Sequence, residues 1–342
     1  MQSRIDDIVW NLYGVQEGDR KILEGSVKDK YQTVEEMSAE TEEAEFYSET
    51  DNNPSKFITD LISYCIGCIF SRWDVRLTTG ERPVPDLPDP FAPLPVCSPG
   101  MLTGDDGLPL SETPTGYPLK VNWEDILVDD PDHPEDIVCR VQDVFRIIWQ
   151  EKAEVIEQEA CHMLNIKDLR EYFRRPGNSG FWMDHVKRYS KSRRKAPIYW
   201  LLQSSKKNYA LWLYYQRLDK DTLFKALTKY VEPKIRLENS RLEQWRAQLV
   251  VAGSEGRQVK QMERQLEHQE SLVIELYEFR DKLRRAADLN LEPDLNDGVV
   301  LNIAPLRELV PWGEAKKYWD ELLARKYEWS SISKQLRSKG VI

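Results

Sequence analysis

Residues 193–216, RRKAPIYWLLQSSKKNYALWLYYQ, place two bulky apolar runs on either side of a polar pentapeptide. The runs PIYWLLQS and YALWLYYQ have the length and aromatic content of β-strands, and SSKKN between them is typical of a turn. The segment therefore predicts a β-hairpin. Tyr199, Trp200 and Tyr209 are predicted either to fill its core or to stack on exposed nucleic-acid bases.

The positive charge of the chain is concentrated around this hairpin. The whole chain of 342 residues has a net charge of −10, whereas residues 181–217 alone carry +8, so that the remaining residues together carry −18. A basic island of this kind is the electrostatic footprint of a protein that binds phosphates. The alternative is that these cations form the solvated rim of the hairpin. We predict DNA contacts for eight of them: Lys187, Arg188, Lys191, Arg193, Arg194, Lys195, Lys206 and Lys207.

The hydrophobic periodicity of the rest of the chain predicts a mainly α-helical protein with this small β-hairpin, an α+β fold. The predicted segments are 1–77, N-terminal helices with an acidic run at 31–55; 78–122, a Pro-rich linker or ordered strap; 123–218, a basic–aromatic module of helices and β-hairpin; 219–290, a long helical hairpin that resembles a coiled coil; and 291–342, a strand–turn and a helix.

Four local features of the sequence lead to more specific expectations. The first arm of the helical hairpin begins near Asp221, and the turn AGSEG, residues 252–256, joins it to the second arm. Pro233 lies in the first arm, where its ring and missing N–H should break or kink the helix. The run VVLNIAPL, residues 299–306, follows a turn signal and favours a short buried strand or an extended segment. A helix is expected over residues 135–163.

No catalytic residue is predicted. The sequence has no phosphate-binding loop of the nucleotide-hydrolysing type, no dinucleotide-binding glycine fingerprint and no serine nucleophile elbow. Cys65 and Cys68 have the spacing of a zinc or redox pair, but they lie in an apolar segment, so we interpret them as core residues. Asp294, Glu314 and Lys316 match a nuclease-like carboxylate–lysine pattern, which short motifs often do by chance. We predict no metal site and no cofactor in this chain.

The sequence shows no targeting or membrane signal. No apolar run reaches the ~20 residues that a membrane-spanning helix needs. The N-terminus lacks the basic and apolar regions of a signal peptide. The five cysteines are an odd number, which argues against a disulfide framework. We therefore expect a cytoplasmic protein without a membrane partner.

Several blocks of the sequence resemble one family. Residues 195–223, KAPIYWLLQSSKKNYALWLYYQRLDKDTL, resemble a K-x-P-I-Y-W-L-x-x-S block of the PglX-type adenine-specific DNA methyltransferases of bacteriophage-exclusion (BREX) systems. Related large methyltransferases of DISARM and fused type II restriction–modification systems are similar. The resemblance covers nearly the whole chain and corresponds to the C-terminal part of the longer family proteins. Other blocks match in the same order: RIDDIVWNLYGV, LISYCIGCIFSRWDVR, DIVCRVQDVFRIIW and DLNDGVVLNIAPLRELVPW.

The resemblance implies an enzyme family that transfers a methyl group from S-adenosylmethionine to N6 of adenine in a short DNA target. That reaction requires a flipped base, held by an N-P-P-Y/F motif, and a Gly-rich S-adenosylmethionine loop. Neither motif occurs in this chain, and the nearest strings, NPS at 53–55 and DPF at 89–91, lack the second proline. The resemblance therefore implies a catalytically empty C-terminal region, and S-adenosylmethionine is implied only for the missing catalytic region.

Three hypotheses about function follow. In the first, the chain engages DNA, supports target recognition and assembles with a methyltransferase catalytic domain or subunit and with other defence-system proteins. In the second, it is a protein-interaction scaffold that uses the long helical hairpin. In the third, it is an autonomous metal-dependent nuclease that uses Asp294, Glu314 and Lys316.

Overall fold

Residues Pro54–Ile342 form one compact unit. The part of the predicted N-terminal helices before residue 54, nearly all of the acidic run and nearly all of the turn at 252–256 lie outside the residues described below, and they stay predictions. The segment boundaries also stay predictions. The structure, a computed structural model, describes residues 54–86, 91, 93, 95–175, 179–191, 194–252 and 257–342.

Helices surround a small sheet, so the predicted fold class, mainly α with a small β element, is confirmed. The helices are α1 (Pro54–Ile69), α2 (Arg76–Thr79), α3 (Ile137–Trp149), α4 (Ala153–Met163), α5 (Leu169–Arg174), α6 (Phe181–Arg188), α7 (Thr222–Lys225), α8 (Glu232–Ala252), α9 (Arg257–Asp288), α10 (Val299–Ile303), α11 (Gly313–Leu323) and α12 (Ser331–Ser338). The strands are β1 (Ile126–Val128), β2 (Ser190–Lys191), β3 (Arg194–Lys195), β4 (Tyr199–Gln203) and β5 (Ala210–Tyr214).

The predicted β-hairpin is present as β4 and β5, which pair antiparallel with Trp200 opposite Leu213. Strand β1 adds to the other edge of β5, so the sheet has the order β1–β5–β4. The strand residues are buried, apart from a partly exposed Gln203. Strand β1 was not predicted, because three apolar residues are too few to show the alternation of a strand.

The helical segment expected over 135–163 consists of two helices. Helix α3 begins after Asp136, whose carboxylate accepts a hydrogen bond from the backbone N–H of Cys139. It ends at Trp149, and the φ of 51° at the next residue, Gln150, lies in the left-handed region and turns the chain. A short 3₁₀ segment, Gln150–Lys152, then leads into α4. Hydrophobic spacing continues across the break, which explains why the sequence alone does not reveal it.

The predicted helical hairpin is formed by α8 and α9, which run antiparallel. Near the end of α8, Arg246 pairs with Glu270, and near its start Glu232 pairs with Arg284. Toward the base of the hairpin, the buried side chains of α9 join the main core, among them Leu276, Phe279 and Leu283. The base of the hairpin is therefore part of the body of the protein. A coiled-coil geometry for the remainder stays a prediction.

The helix does not break at Pro233. This proline is the second residue of α8 and follows a π-helical segment, Ala226–Val231, which continues directly from α7. A π turn is wider than an α turn, so it can accommodate the proline ring and its missing N–H. The irregularity that Pro233 was expected to cause is thus a π-helical turn inside a continuous helical segment.

The strand or extended segment predicted at residues 299–306 is wrong. The run forms α10 and a 3₁₀ turn, Ala304–Leu306. The side chain of Asn302 fixes this conformation, since its amide donates to the carbonyl of Gly298 and its oxygen accepts from the N–H of Asp294. Pro305 could not donate to a strand ladder. An apolar run this short does not distinguish a buried strand from a buried helix.

Part of the Pro-rich segment is an ordered strap over the body. Leu102 and Leu119 are buried, and the hydroxyl of Tyr117 accepts a hydrogen bond from the backbone N–H of Val75. The carbonyl of Gly100 accepts another from the N–H of Asp74. In the described part of the chain, no helix is both long and apolar enough to cross a membrane.

Candidate nucleic-acid interface

The three aromatic residues that were expected either to stack on bases or to fill the core lie in the core. Tyr199, Trp200 and Tyr209 each expose 1% of their surface or less. The Trp200 ring stacks on Tyr215 with 4.7 Å between ring centroids, and its indole N–H donates to the carbonyl of Pro197. Because protein atoms enclose these rings, they are not available to a base in this conformation.

A buried histidine holds the open end of the hairpin, where β4 begins and β5 ends. The Nε2 atom of His185 on α6 accepts hydrogen bonds from the backbone N–H groups of Ile198 (3.0 Å) and Tyr199 (2.9 Å). Burial, together with the charges of Arg188 and Arg72, lowers the pKa of His185 well below its usual value. The imidazole is therefore neutral and serves as an acceptor for the first residues of β4.

The predicted DNA-contacting cations at the open end differ in their surroundings. Arg188 pairs with Asp60 on α1, and Lys195 pairs with Glu314 on α11. Lys187, in contrast, is exposed, and no carboxylate of the described residues lies within 4 Å of its ammonium group. Two of these side chains are thus already neutralised by the protein, whereas Lys187 remains free to meet an external anion.

The remaining three cations of this end lie at a small hairpin. The backbones of Lys191 and Arg194 pair as neighbouring residues of β2 and β3. Arg193 belongs to the connection between the strands and lies outside the described residues, as do the side chains of Lys191 and Arg194. Their contact with DNA therefore stays a prediction from the sequence.

A buried carboxylate holds the opposite end of the hairpin, the turn SSKKN. Glu275 on α9 is 2% exposed and accepts hydrogen bonds from the hydroxyl of Ser204 (2.5 Å) and the backbone N–H of Lys206 (2.7 Å). The side-chain amide of Asn208 donates to the other carboxylate oxygen (2.7 Å). Helix α9 thereby fixes the conformation of the turn through Glu275, a role that the sequence pattern of α9 did not indicate.

The turn presents two lysines whose charges are not paired. The ammonium group of Lys206 donates to the hydroxyl of Ser271, and Lys207 adopts a φ of 64°. Neither has a carboxylate of the described residues within 4 Å. Since five strand residues separate the ends of β4 at about 3.3 Å each, the turn lies about 17 Å from the open end. The basic island of the sequence is therefore divided into two groups.

A further cation, which the sequence analysis did not select, lies at the open end. Arg72 follows α1, and its guanidinium lies 4.9 Å from the ring centroid of Trp73 and 5.1 Å from that of Tyr189. One guanidinium nitrogen, Nη1, donates to the hydroxyl of Tyr189. Tyr189 in turn packs against His185. The one signal in the sequence is the neighbouring tryptophan, because arginine often stacks on aromatic faces.

The position of Arg72 depends on a glycine in α1. A Cβ atom on Gly67 would come within 2.2 Å of the Trp73 ring, so a side chain there would displace the indole. The carbonyl of Gly67 also accepts the backbone N–H groups of both Arg72 and Trp73. Gly67 thus allows the chain to fold back tightly after α1 and to bring Arg72 beside Tyr189.

The residues of the nuclease hypothesis have local structural roles. Asp294 accepts from the N–H of Asn296 and caps a 3₁₀ turn, and Glu314 pairs with Lys195. Within the described ranges, no group of three or more His, Cys, Asp or Glu residues is placed to hold a metal ion. The geometry therefore gives no support to metal-dependent cleavage by these residues.

The two cysteines with CxxC spacing are buried on α1. Burial raises the pKa of the Cys68 thiol to about 12 and raises the pKa of the Cys65 thiol well above its usual value. A thiol must lose its proton before it binds metal or acts as a nucleophile. Both thiols are therefore protonated near neutral pH, in agreement with their interpretation as core residues.

The two loops that follow β1 and β4 lack the glycines that the resemblance implies for an S-adenosylmethionine loop. The resemblance implies a Gly-rich loop for this cofactor, but the segment after β1 reads DDPDHPED and has no glycine. Its carboxylates are used internally, since Asp129 pairs with Arg170 and Arg174, and Asp136 pairs with Arg170. The hairpin turn after β4, SSKKN, also lacks glycine. No step of methyl transfer is therefore assigned to this chain.

Comparison with known proteins identifies two relatives, although no family model matches the chain. It is 25% identical over 334 residues to the adenine-specific methyltransferase BrxX of Escherichia coli O9:H4 (strain HS), an alignment that covers 89% of this chain and 25% of BrxX. It is 24% identical over 292 residues to the adenine-specific methyltransferase PglX of Lacticaseibacillus casei (strain Zhang), covering 81% of this chain and 21% of PglX.

The alignments match the resemblance that was inferred from the sequence blocks. The chain spans about a quarter of the length of the curated relatives it matches. Both relatives carry the same description, adenine-specific methyltransferase, and both alignments include most of this chain. The similarity relates this chain to the PglX/BrxX-type adenine-specific methyltransferases.

Proposed function

We propose that this chain is a non-catalytic, DNA-engaging region of an adenine-specific methyltransferase system. The observation that carries the proposal is that the charges of Lys187, Lys206 and Lys207 are unpaired among the described residues. Lys206 and Lys207 lie in the turn of the buried hairpin, and Lys187 lies on α6, whose His185 binds its open end. None of the three has a carboxylate partner among the described residues, although acidic residues outnumber basic ones in the chain. Such cations are suited to the phosphates of DNA.

In this proposal, the chain positions DNA and does not itself read a sequence. Contacts with phosphates fix the register of a protein on the duplex but carry no direct sequence information. A catalytic domain or subunit would supply S-adenosylmethionine binding and the adenine pocket, and other defence-system proteins would assemble with it. The relatives' description as adenine-specific methyltransferases supports DNA as the partner.

The experiment compares the affinities of three proteins for a labelled DNA duplex by fluorescence anisotropy. The open-end variant carries Lys187→Gln, Lys191→Gln and Arg194→Gln. The wild-type chain is the reference, and the control variant carries Lys260→Gln and Arg264→Gln on the exposed surface of α9. We expect the open-end variant to lose affinity by at least about tenfold, because several phosphate contacts disappear together.

The control variant should bind DNA within about twofold of wild type, since its cations lie on the helical hairpin. The proposal fails if the wild-type chain does not bind DNA at low salt, or if the open-end and control variants weaken binding equally. Calorimetry with S-adenosylmethionine provides an independent check. We expect no binding by the purified chain, and saturable binding would contradict the non-catalytic assignment.

One observation favours the scaffold as a second candidate. Val250 and Val251, near the end of α8, expose 83% and 87% of their surface. Adjacent exposed valines at the end of a helical arm are suited to contact with a protein partner. The substitution pair Val250→Lys and Val251→Lys should abolish co-elution with the catalytic partner proposed above, while DNA affinity stays unchanged. Undiminished co-elution would contradict this candidate.

A further inference from the structure

Arg72 is an exception among the arginines of this protein. Of the arginines whose side chains are described and at least partly buried, Arg72 is the one with no described carboxylate within 4 Å. Its sequence neighbour Asp74 is fully buried but is used by Arg76 and Arg82. A guanidinium that is partly removed from water without a counter-ion is unfavourable unless an anion from elsewhere completes the site.

The surroundings hold Arg72 in one place. Its guanidinium contacts the faces of Trp73 and Tyr189, and Tyr189 packs on His185 with 4.7 Å between ring centroids. His185 stacks on Tyr199, again at 4.7 Å. A series of rings therefore connects the partly buried Arg72 to the first residue of β4. A cation fixed in this way loses little conformational entropy when it binds a ligand.

Arg72 also has hydrogen-bond donors to spare. A guanidinium carries five N–H donors, and the described residues supply two tyrosine hydroxyls as acceptors near it, those of Tyr189 and Tyr199. The planar fork of the remaining donors matches two oxygens of a phosphate. Burial by itself lowers the pKa of Arg72, but the nearby hydroxyls of Tyr199 and Tyr189 outweigh it and raise the pKa, so the side chain stays charged.

We propose that Arg72 binds a backbone phosphate of DNA. The inference rests on the proposed function, because the DNA would be the same duplex that Lys187 meets. Lys187 is two residues from Tyr189 in the chain, and both lie at the end of α6. The two cations would then contact phosphates at the open end of the hairpin, with Arg72 as the rigid, bidentate contact and Lys187 as the flexible one.

The test measures DNA affinity as a function of salt for Arg72→Gln, Arg72→Lys and a matched control, Arg246→Gln. Arg246 is exposed on the helical hairpin and pairs with Glu270, so the control removes the same charge at a distant place. For Arg72→Gln we expect an affinity loss of about tenfold and a log–log salt slope smaller by about 1. Arg72→Lys should show a smaller affinity loss with the salt slope retained, because a lysine keeps the charge without the fork.

Arg246→Gln should match wild type in both quantities. If Arg72→Gln binds DNA as Arg246→Gln does, while its melting temperature shows that it is folded, the inference is overturned. If the wild-type chain binds no DNA, the proposed function fails, and thermal stabilisation by inorganic phosphate then tests Arg72 alone. Stabilisation of wild type but not of Arg72→Gln would support an anion site there, and equal responses would refute it.

Discussion

The open end and the turn of the β4–β5 hairpin are held by opposite chemistry. At the open end, the neutral ring of His185 accepts the backbone N–H groups of Ile198 and Tyr199. At the turn, the carboxylate of Glu275 accepts from a backbone N–H and from side chains of the turn. Each end therefore has one buried acceptor from a neighbouring helix, but one acceptor is neutral and the other is ionic.

The two ends also differ in which cations remain available. At the open end, acids from distant segments reach the surface, so Asp60 and Glu314 neutralise Arg188 and Lys195. At the turn, the nearest buried acid is already engaged with the backbone, so the lysine charges of the turn stay unpaired. A run of cations in a sequence therefore does not define one binding surface, because the fold distributes partners unequally along it.

The largest expected effect concerns the ionic end. Glu275→Ala removes an acceptor from three residues of the turn and should lower the free energy of unfolding by about 3 kcal/mol. Chemical denaturation measures this change. The matched control is Glu267→Ala, an exposed glutamate about two turns before Glu275 on α9, which should cost less than about 0.5 kcal/mol. Equal effects of the two substitutions would show that Glu275 does not hold the turn.

The neutral end should respond less strongly. His185→Phe keeps a ring of similar shape but leaves two backbone N–H groups without an acceptor, so we expect a loss of about 2 kcal/mol in unfolding free energy. His162→Phe, at an exposed position on α4, is the control and should change stability by less than about 0.5 kcal/mol. A neutral effect of His185→Phe would mean that water replaces the imidazole at the start of β4.

The buried neutral His185 also predicts how the free energy of unfolding depends on pH. The folded-state pKa of His185 lies well below that of the unfolded chain, about 6.5, so the unfolded state binds the extra proton first on acidification. Stability is therefore lost as the pH falls below about 6.5. Between about pH 7.5 and pH 5.5, wild type should lose about 1.4 kcal/mol more than His185→Phe. Parallel pH profiles of the two proteins would contradict a buried neutral histidine.

The sequence predicted those parts of the fold in which local pattern and burial agree. The β-hairpin could be predicted because aromatic strands flank a polar turn, and the helical hairpin because its apolar residues keep a helical spacing. Strand β1 and the segment 299–306 could not, because each is too short for a period to appear. The side-chain bonds of Asn302, which no pattern shows, decide the second case.

The candidate site was predictable only in part, because pairing between distant residues decides it. The charge count located the basic segment, but the partners of Arg188 and Lys195 come from segments more than a hundred residues away. Arg72 was missed because it lies far outside the basic segment of the sequence. Its unpaired charge is also a product of the fold, which gives the neighbouring Asp74 to Arg76 and Arg82.

The salt dependence of DNA affinity tests the central claim most directly. Wild type is compared with the turn variant, Lys206→Gln and Lys207→Gln, with the open-end variant, and with the variant that combines both. If the two ends bind one duplex, each variant lowers the log–log salt slope, by about 1 for each phosphate that the protein no longer neutralises, and the combined variant lowers it by the sum. A salt slope that stays at the wild-type value in either the turn variant or the open-end variant would contradict the claim that both ends of the hairpin meet DNA.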